Sequence, residues 1–525
     1  MTFAPKGRGA RVALAGVIVL IAGAGALMAQ PCEDGVNFSL ARTDLGVVRG
    51  MEIDGVVFFR GIPFAAPPVG PSRWRPPVPA RPWNGVREAR DFGPICPQPV
   101  SDGERQGQEQ DEDCLTVNIA RPASGGDTAP VLVLIHGGAY FVGSSRDGFD
   151  DAARAYAKRG IVVVAANYRL GRLGFFAHPG LRAEQPGTPV ANYWLMDQIA
   201  ALKWVKRNIA AFGGDPERVT VLGCSAGGSS VNSLMASPMA RGLFARASAH
   251  SGGGVNNAVR PLDRAEQEGV AFAHRAGVDG EGADAIARLR ALDPARIMAA
   301  DPGPPNFGAV VDGIYLPQET AMAFARGEIA RVPFIAGSTS NEASVFGLMG
   351  FDETVLKERF GVDFDAARRV YDPQGRLSAS ELLRQVQTDF IFTSGATALA
   401  ALANEWQPAY AFHFAYLPPA ERAQAPGAPH CADMRYTFAR SDAPTDPESL
   451  RLAEMMRNYW VNFIKIGDPN GPGLPHWPRY QAPGFAPLLI DRVTAAEPHF
   501  RKRQLGYWHA RWSARTGLPL PDVAR

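Results

Sequence analysis

The middle of the chain alternates short apolar runs with stretches of helical periodicity. Val131–Ile135 and Ile161–Ala166 are uninterrupted apolar runs, which are typical of strands buried on both faces. Between them Asp150–Arg159 can form a helix, and Val219–Leu222 predicts a further strand. A helix before that last strand is predicted from apolar residues that recur every three or four positions. They are Leu195, Ile199, Leu202, Val205, Ile209 and Phe212.

Strands and helices that alternate in this way predict an α/β fold with a large, mostly parallel central sheet and helices on both faces. Residues 40–100 are rich in Gly, Pro and Trp and are typical of short strands and turns at one edge of the body. Residues 256–300 and 345–400 favour helices and carry no matching strand runs. We expect these two segments to be helical insertions that cap the sheet and wall a substrate pocket.

The first 29 residues differ from the rest of the chain. Three basic side chains open this segment, and the 18 residues of Val12–Ala29 carry no charge. Because small residues end the stretch, residues 1–29 are predicted to be a secretory signal peptide, cleaved near Ala29. The alternative is an uncleaved anchor, since 18 residues are just long enough to span a bilayer. We expect residues 30–525 to form a single domain that is exported, either to the periplasm or into the medium.

The charge composition of the chain only excludes some kinds of partner. The chain carries 54 Lys and Arg against 52 Asp and Glu, a formal net charge of +2, and the two signs are interspersed. No charge excess therefore points to nucleic acid or to an anionic membrane surface as a partner. The five cysteines include no C-x-x-C pair and no cluster with histidine, so no zinc site is predicted.

A nucleophile motif follows the predicted strand Val219–Leu222. Gly223–Gly228 has the sequence Gly-Cys-Ser-Ala-Gly-Gly, which is G-x-S-x-G between a buried strand and a helix start rich in small residues. In α/β-hydrolases this turn is so tight that its flanking residues must be very small, and it lifts the serine hydroxyl above the edge of the sheet. Ser225 is therefore the predicted nucleophile. The alternative is a loop rich in Gly and Ser, because the bare pattern also occurs by chance.

An acyl-transfer enzyme must also stabilise the oxyanion of its tetrahedral intermediate, which preorganised backbone N–H groups do well. His136–Tyr140 follows the strand Val131–Ile135 and is a loop of the H-G-G type found in esterases. We expect the N–H groups of Gly138, Ala139 and Ala226 to be the donors. By itself, this loop would equally be an ordinary turn at the end of a strand.

The acid and then the base are expected after Ser225 along the chain. His430 lies in a loop of Pro, Gly and Ala that is able to present its ring to Ser225, and it is the predicted base. Glu342 follows a strand predicted at Val332–Ala336, at the strand end where active-site groups of open α/β sheets lie. From the pattern alone it is equally a solvated loop carboxylate. The other histidines that leave room for an acid between themselves and Ser225 are typical of packing or surface positions. They are His413, His476, His499 and His509.

Together these motifs resemble those of the type-B carboxylesterase family, which includes bacterial carboxylesterases and the cholinesterases. The resemblance runs over nearly the whole chain after residue 29. Beside the motifs above, it includes Phe59–Ala65, Glu112–Leu115, Asn167–Leu170, Phe212–Pro216, Val311–Gly313 and Gly467–Asn470. It implies an α/β-hydrolase fold with Glu342 as the triad acid and His430 as the base. It also implies a disulfide between Cys96 and Cys114.

Four positions depart from the usual pattern of that family. Cys224 precedes the nucleophile where Glu is usual, and Cys431 follows the histidine. Asp433 stands where Glu is usual, and Trp194 replaces a common Gly, which we expect to reshape the pocket. Cys224 with its serine and Cys431 with its histidine resemble the arrangement in feruloyl esterases and tannases. That likeness favours bulky or aromatic esters as substrates.

The positions of Cys224 and Cys431 predict a second disulfide. Proton transfer needs the side chains of Ser225 and His430 within about 3 Å, so their neighbours in the chain lie near each other. That proximity is compatible with the roughly 4.4–6.8 Å between Cα atoms that a disulfide requires. The alternative is two buried free thiols. Together with the pair implied above, this disulfide leaves Cys32 as the odd thiol.

The predicted function is hydrolysis of carboxylic esters through an acyl-enzyme. Ser225 is the nucleophile, His430 is the base, and Glu342 orients the imidazole. The chemistry requires no cofactor and no metal ion, and the expected partner is a small-molecule ester. A lactonase or a peptidase with the same triad is the alternative enzyme. A non-catalytic binding module of the same fold would normally have lost a triad member, and all three are present.

Overall fold

A computed structural model describes residues 37–520, except residues 100–105, 125, 127, 257–258, 302–306 and 483. The signal peptide predicted over residues 1–29 and the odd thiol Cys32 lie outside the described residues. In the described part of the chain, no helix combines the length and the apolar character that crossing a bilayer requires.

One large sheet runs through the molecule, and its strands are numbered here in chain order. They are β1 Phe38–Arg42, β2 Val47–Ile53, β3 Val56–Pro63, β4 Val86–Glu88, β5 Thr116–Pro122, β6 Ala129–Ile135, β7 Val162–Ala166, β8 Gly214–Cys224, β9 Arg246–His250, β10 Phe334–Thr339, β11 Ala409–Phe414, β12 Leu488–Ile490 and β13 Ala495–Ala496. Their spatial order is β1-β2-β3-β5-β7-β6-β8-β9-β10-β11-β12-β13, with β4 beside β2. From β7 to β12 all neighbours are parallel. This is the mostly parallel sheet of an α/β-hydrolase fold, as predicted.

The parallel strands are apolar on both faces because helices cover both sides of the sheet. Every residue of β7 and of β10 is buried. A large apolar cluster lies on each face, one including Leu202 and the other including Trp460. At the other edge, β1, β2, β3 and β5 pair antiparallel, which confirms the short strands and turns expected over residues 40–100.

The α-helices follow the strands along the chain. They are α1 Phe149–Ala157, α2 Gly171–Gly174, α3 Pro179–Glu184, α4 Tyr193–Asn208, α5 Ala226–Ala236, α6 Leu262–Arg275, α7 Ala283–Arg290, α8 Pro294–Ala299, α9 Thr320–Ala325, α10 Phe346–Met349, α11 Glu353–Phe360, α12 Phe364–Tyr371, α13 Ala379–Gln387, α14 Ser394–Asn404, α15 Asp433–Thr437, α16 Pro447–Ile466 and α17 Lys502–Thr516. The helix predicted through Phe212 ends earlier, at Asn208, and continues as a 3₁₀ turn that Gly213 ends with a φ of 76°.

The two segments predicted as helical insertions form helices, with two corrections. Residues 256–300 are not free of strands, because Arg260–Pro261 pairs with Val310–Val311. The end of the segment 345–400 is not a cap, because α14 packs against β10 and β11 as the crossover between them. That role explains why the first ten residues of α14 are all buried.

Candidate active site

Ser225 lies in a tight turn between strand β8 and helix α5. Its φ of 61° and ψ of −125° lie outside the helical and extended regions, a strain that the surrounding packing must hold. A Cβ atom at Gly223 would lie 2.5 Å from the backbone of Gly227, and one at Gly227 would lie 2.1 Å from the carbonyl oxygen of Ile135. Only glycine fits at these two positions, which is the physical reason for the small residues around the serine.

The loop after β6 brings backbone N–H groups to the serine. Gly138 and Ala139 have φ values of 102° and 53°, and a Cβ atom at Gly137 would lie 3.3 Å from the Cβ atom of Ser225. The N–H groups of Gly138, Ala139 and Ala226 donate no hydrogen bond to any of the described residues. They are therefore available to a substrate oxygen beside Ser225.

Glu342 is a buried carboxylate, not the solvated loop residue that the pattern had left open. Its side chain is 0% exposed. Oε1 accepts hydrogen bonds from the N–H of Thr339 and from the hydroxyl of Ser251, both at 2.7 Å. Oε2 is hydrogen-bonded to Nδ1 of His430. Both oxygens are thus occupied, and the plane of the carboxylate is fixed relative to the imidazole.

His430 is held by its backbone, its ring face and one ring nitrogen. Its N–H donates to Oγ of Ser344 at 2.9 Å, and its ring lies 4.9 Å from that of Phe392, between centroids. Because Nδ1 faces the carboxylate of Glu342, Nδ1 carries the proton and Nε2 is the free acceptor. Nε2 is buried and finds no hydrogen-bond partner among the described residues.

Ser225 and His430 line the same cavity, but the direct hydrogen bond expected between them is not formed. Catalytic hydrogen bonds of this kind are often long or poorly aligned until the reacting complex forms.

Two disulfides lie among the described residues. Cys224 and Cys431 are bonded with their Cα atoms 6.2 Å apart, across 207 residues of sequence. This bond joins the residue before the serine to the residue after the histidine. Cys96 and Cys114 are bonded with their Cα atoms 5.0 Å apart, across 18 residues.

Two cavities meet at Ser225, which lines both together with Ala139. The larger has a volume of about 600 Å³, and the smaller of about 200 Å³. Aromatic rings wall the smaller one, namely Phe307, Phe346, Phe351, Phe360 and Phe392. An ester carbonyl beside Ser225 would therefore have separate spaces for its acyl and alcohol parts.

Trp194, which was expected to reshape the pocket, lines neither cavity itself. Its ring is fully buried, 5.2 Å from the ring of Phe175 and 4.8 Å from that of Tyr140, between centroids. On α4, Trp194 faces the interior behind Tyr140, and Tyr140 itself lines the smaller cavity.

The histidines that were predicted to be structural also stay outside the two cavities. His413 is 6% exposed and hydrogen-bonded to Oγ of Ser338 at 3.0 Å. Burial, and secondarily the charge of Arg501, lowers the pKa of His413 to about 3. His509 is buried on α17, and burial lowers its pKa to about 4. Neither can share in proton transfer at Ser225.

Three contacts around the histidine and the carboxylate were missed by sequence reasoning. Ser251, Ser344 and Phe392 hold Glu342 or His430 through the bonds given above. A signal existed for Ser251, which directly follows β9 at the strand end where active-site groups gather. No pattern marked Ser344 or Phe392.

Comparison with known proteins agrees with this fold. A family model described as the carboxylesterase family matches residues 38–508. The fumonisin B1 esterase of Sphingopyxis macrogoltabida is 34% identical over 486 residues, which cover 87% of each chain. The para-nitrobenzyl esterase of Bacillus subtilis is 31% identical over 499 residues, covering 89% of this chain and 98% of that protein. A solved carboxylesterase of Geobacillus stearothermophilus has a TM-score of 0.77 at 31% identity, covering 90% of this chain and 99% of the other.

Proposed function

Since this chain belongs to the carboxylesterase family and is a serine hydrolase of carboxylic esters, we propose that Ser225, His430 and Glu342 carry out its reaction. The observation that carries the proposal is the bond between Glu342 and Nδ1 of His430. It leaves Nε2 as an acceptor at the cavity that Ser225 lines.

In the first step, Oγ of Ser225 attacks the ester carbonyl carbon while Nε2 of His430 takes the hydroxyl proton. The carbonyl oxygen becomes an oxyanion, and the N–H groups of Gly138, Ala139 and Ala226 are the proposed donors to it. The geometry supports these donors, because all three N–H groups lie beside Ser225 and none donates a hydrogen bond to a described residue.

The tetrahedral intermediate then collapses, the bond to the alcohol oxygen breaks, and His430 returns its proton to that oxygen. A water molecule, deprotonated by the same imidazole, then attacks the acyl-enzyme. The bond between the acyl carbon and Oγ of Ser225 breaks, the acid leaves, and His430 returns the proton to Oγ. Throughout, Glu342 stabilises the imidazolium and keeps the proton on Nδ1. Besides the ester and water, these steps use only side chains and backbone groups of the chain, and neither a cofactor nor a metal ion enters them.

For the substrate, we propose esters with a bulky or aromatic part. The five phenylalanine rings that wall the smaller cavity support this proposal, because flat aromatic groups pack favourably against such rings. A cavity of about 200 Å³ beside the serine also leaves room for more than a short acyl chain. Two relatives are named for the hydrolysis of a pyrethroid and of phenmedipham, at 33% identity each.

The remaining proposals concern the chain as a whole. We propose that residues 1–29 are a cleaved signal peptide and that residues 30–525 form one exported catalytic domain. Two disulfides among the described residues support export, because such bonds persist in oxidising compartments. Intact-mass measurement of the protein recovered from the periplasm and the medium tests this, since retention of residues 1–29 would contradict cleavage.

A substrate panel tests the proposed activity. We expect hydrolysis of p-nitrophenyl, aryl and feruloyl esters by the wild type, with a higher kcat/KM for an aromatic acyl group than for acetyl. Lactones and peptide amides form the competing arms. A preference for either over every ester would favour the lactonase or peptidase alternative, and inactivity on all arms would favour a binding module.

A further inference from the structure

A second set of serine, histidine and aspartate lies buried behind the nucleophile turn. Nδ1 of His250 is 2.5 Å from Oδ2 of Asp433, and Nε2 of His250 is 2.9 Å from Oγ of Ser248. Each of these residues is 0% exposed. His250 and Ser248 lie on β9, whereas Asp433 begins α15, 183 residues further along the chain.

The array also includes the indole N–H of Trp460, which can only donate a hydrogen bond. It donates to Oγ of Ser248 at 3.2 Å. Oγ of Ser248 is also hydrogen-bonded to Nε2 of His250, and Nδ1–H of His250 donates to Asp433. This serine is thus sealed from solvent and already engaged, so the array is not a second active site.

The end of β9 contacts the parts of the proposed active site in three ways. The carbonyl oxygen of His250 accepts the N–H of Ser225 at 3.0 Å. The next residue, Ser251, donates its hydroxyl to Glu342 at 2.7 Å. The side chain of His250 holds Asp433, which lies three residues after His430. One short segment therefore contacts the nucleophile, the acid and the chain that carries the base.

We propose that His250 and Asp433 are positioning residues that set the separation between Ser225 and His430. This inference rests on the proposed function of the triad. His250 fixes the nucleophile through its backbone and fixes the histidine segment through its imidazole. The disulfide between Cys224 and Cys431 links the same two segments at a different point.

Single and double substitutions of this pair distinguish an effect on the position of the catalytic groups from an effect on the stability of the fold. Oδ1 of Asp433 has no partner among the described residues, so Nδ1–H of His250 is the donor on which the buried carboxylate depends. Removing His250 alone leaves a buried charge unpaired and destabilises the fold. Replacing both residues by apolar ones removes the charge as well, and such replacements are often neutral for stability. Neither variant keeps the hydrogen bond between the side chains at positions 250 and 433.

The experiment compares His250→Leu with the double variant His250→Leu/Asp433→Leu. We expect the single variant to lose Tm and the double variant to recover most of it. In the double variant kcat should remain lowered about tenfold to a hundredfold, since a 1 Å misplacement of reacting groups costs this much. KM should change far less, because neither residue lines a cavity that holds the substrate.

A matched control is the buried pair of Arg73 and Glu112, whose Nε and Oε1 atoms are 2.8 Å apart and which contacts no triad residue. Arg73→Met/Glu112→Leu should alter Tm and leave kcat at the wild-type value. Recovery of both Tm and kcat in His250→Leu/Asp433→Leu would overturn the positioning role. If Ser225→Ala retains turnover, the proposed function itself fails, so the two failures are distinguishable.

Discussion

Removing the disulfide between Cys224 and Cys431 tests how the two halves of the active site are held together. The bond closes a loop with a sequence separation of 207 residues, against 18 for the bond between Cys96 and Cys114. Chain entropy of the unfolded state predicts a stabilisation of about 5 kcal/mol for the long loop and about 3 kcal/mol for the short one. We therefore expect Cys224→Ser/Cys431→Ser to lower the free energy of unfolding more than Cys96→Ser/Cys114→Ser does.

The two disulfides are expected to differ more in their effect on kcat than in their effect on stability. The long-range bond joins the neighbours of Ser225 and His430, so its loss lets the histidine segment move relative to the serine. At a urea concentration where both variants remain folded, kcat of Cys224→Ser/Cys431→Ser should fall about tenfold or more, as expected for misplaced reacting groups. Cys96→Ser/Cys114→Ser is the control and should keep its kcat.

The measurements are urea unfolding, steady-state kinetics and non-reducing peptide mapping. Mapping of the wild type should yield one peptide pair linked through Cys224 and Cys431. Free alkylation of both cysteines in unreduced, unfolded protein would refute the bond. An unchanged kcat in Cys224→Ser/Cys431→Ser would refute its role in holding the site.

Three further predictions concern the ionisable groups. His430→Ala should lower kcat by several orders of magnitude and Glu342→Gln by less, because the second change disturbs orientation without removing the base; equal and negligible losses would mean that Glu342 is not the acid. The kcat/KM of the wild type should fall as the pH is lowered, because only the neutral imidazole of His430 accepts a proton; a flat profile into strongly acidic solution would contradict a histidine base. Burial lowers the pKa of His413 to about 3, below the value of about 6.5 in an unfolded chain, so the unfolded state binds more protons between these pH values. The free energy of unfolding should therefore decrease on acidification below about pH 6.5. His413 contributes at most about 1.4 kcal/mol per pH unit to this decrease. Urea unfolding of His413→Gln should show a shallower decrease.

The sequence predicts the sheet and the nucleophile turn well because both depend on local pattern. Strands buried on both faces are continuous apolar runs, as in β6 and β7, and such runs need no knowledge of distant residues. The turn at Ser225 requires glycine at two positions where a Cβ atom would collide with backbone. The steric requirement of this turn therefore explains the glycines of the motif.

The parts that sequence reasoning missed depend on contacts between distant segments. The pairing of His250 with Asp433 spans 183 residues, and no local pattern marks it. Asp433 was noticed only as a departure from the usual residue, without a role. Trp194 was expected to reshape the pocket, but the sequence did not show that its ring packs against Tyr140 from helix α4. Helical periodicity shows that a face is buried, but not which neighbour covers it.

The measurement that tests the central claim most directly is active-site labelling combined with Ser225→Ala. A phosphonate that reacts with activated serine hydroxyls should modify one peptide of the wild type, at Ser225, with loss of turnover proportional to labelling. Ser225→Ala should remain folded, take up no label and lose several orders of magnitude in kcat, since only oxyanion and binding effects remain. Labelling at another serine, or turnover near the wild-type value in Ser225→Ala, would contradict the account.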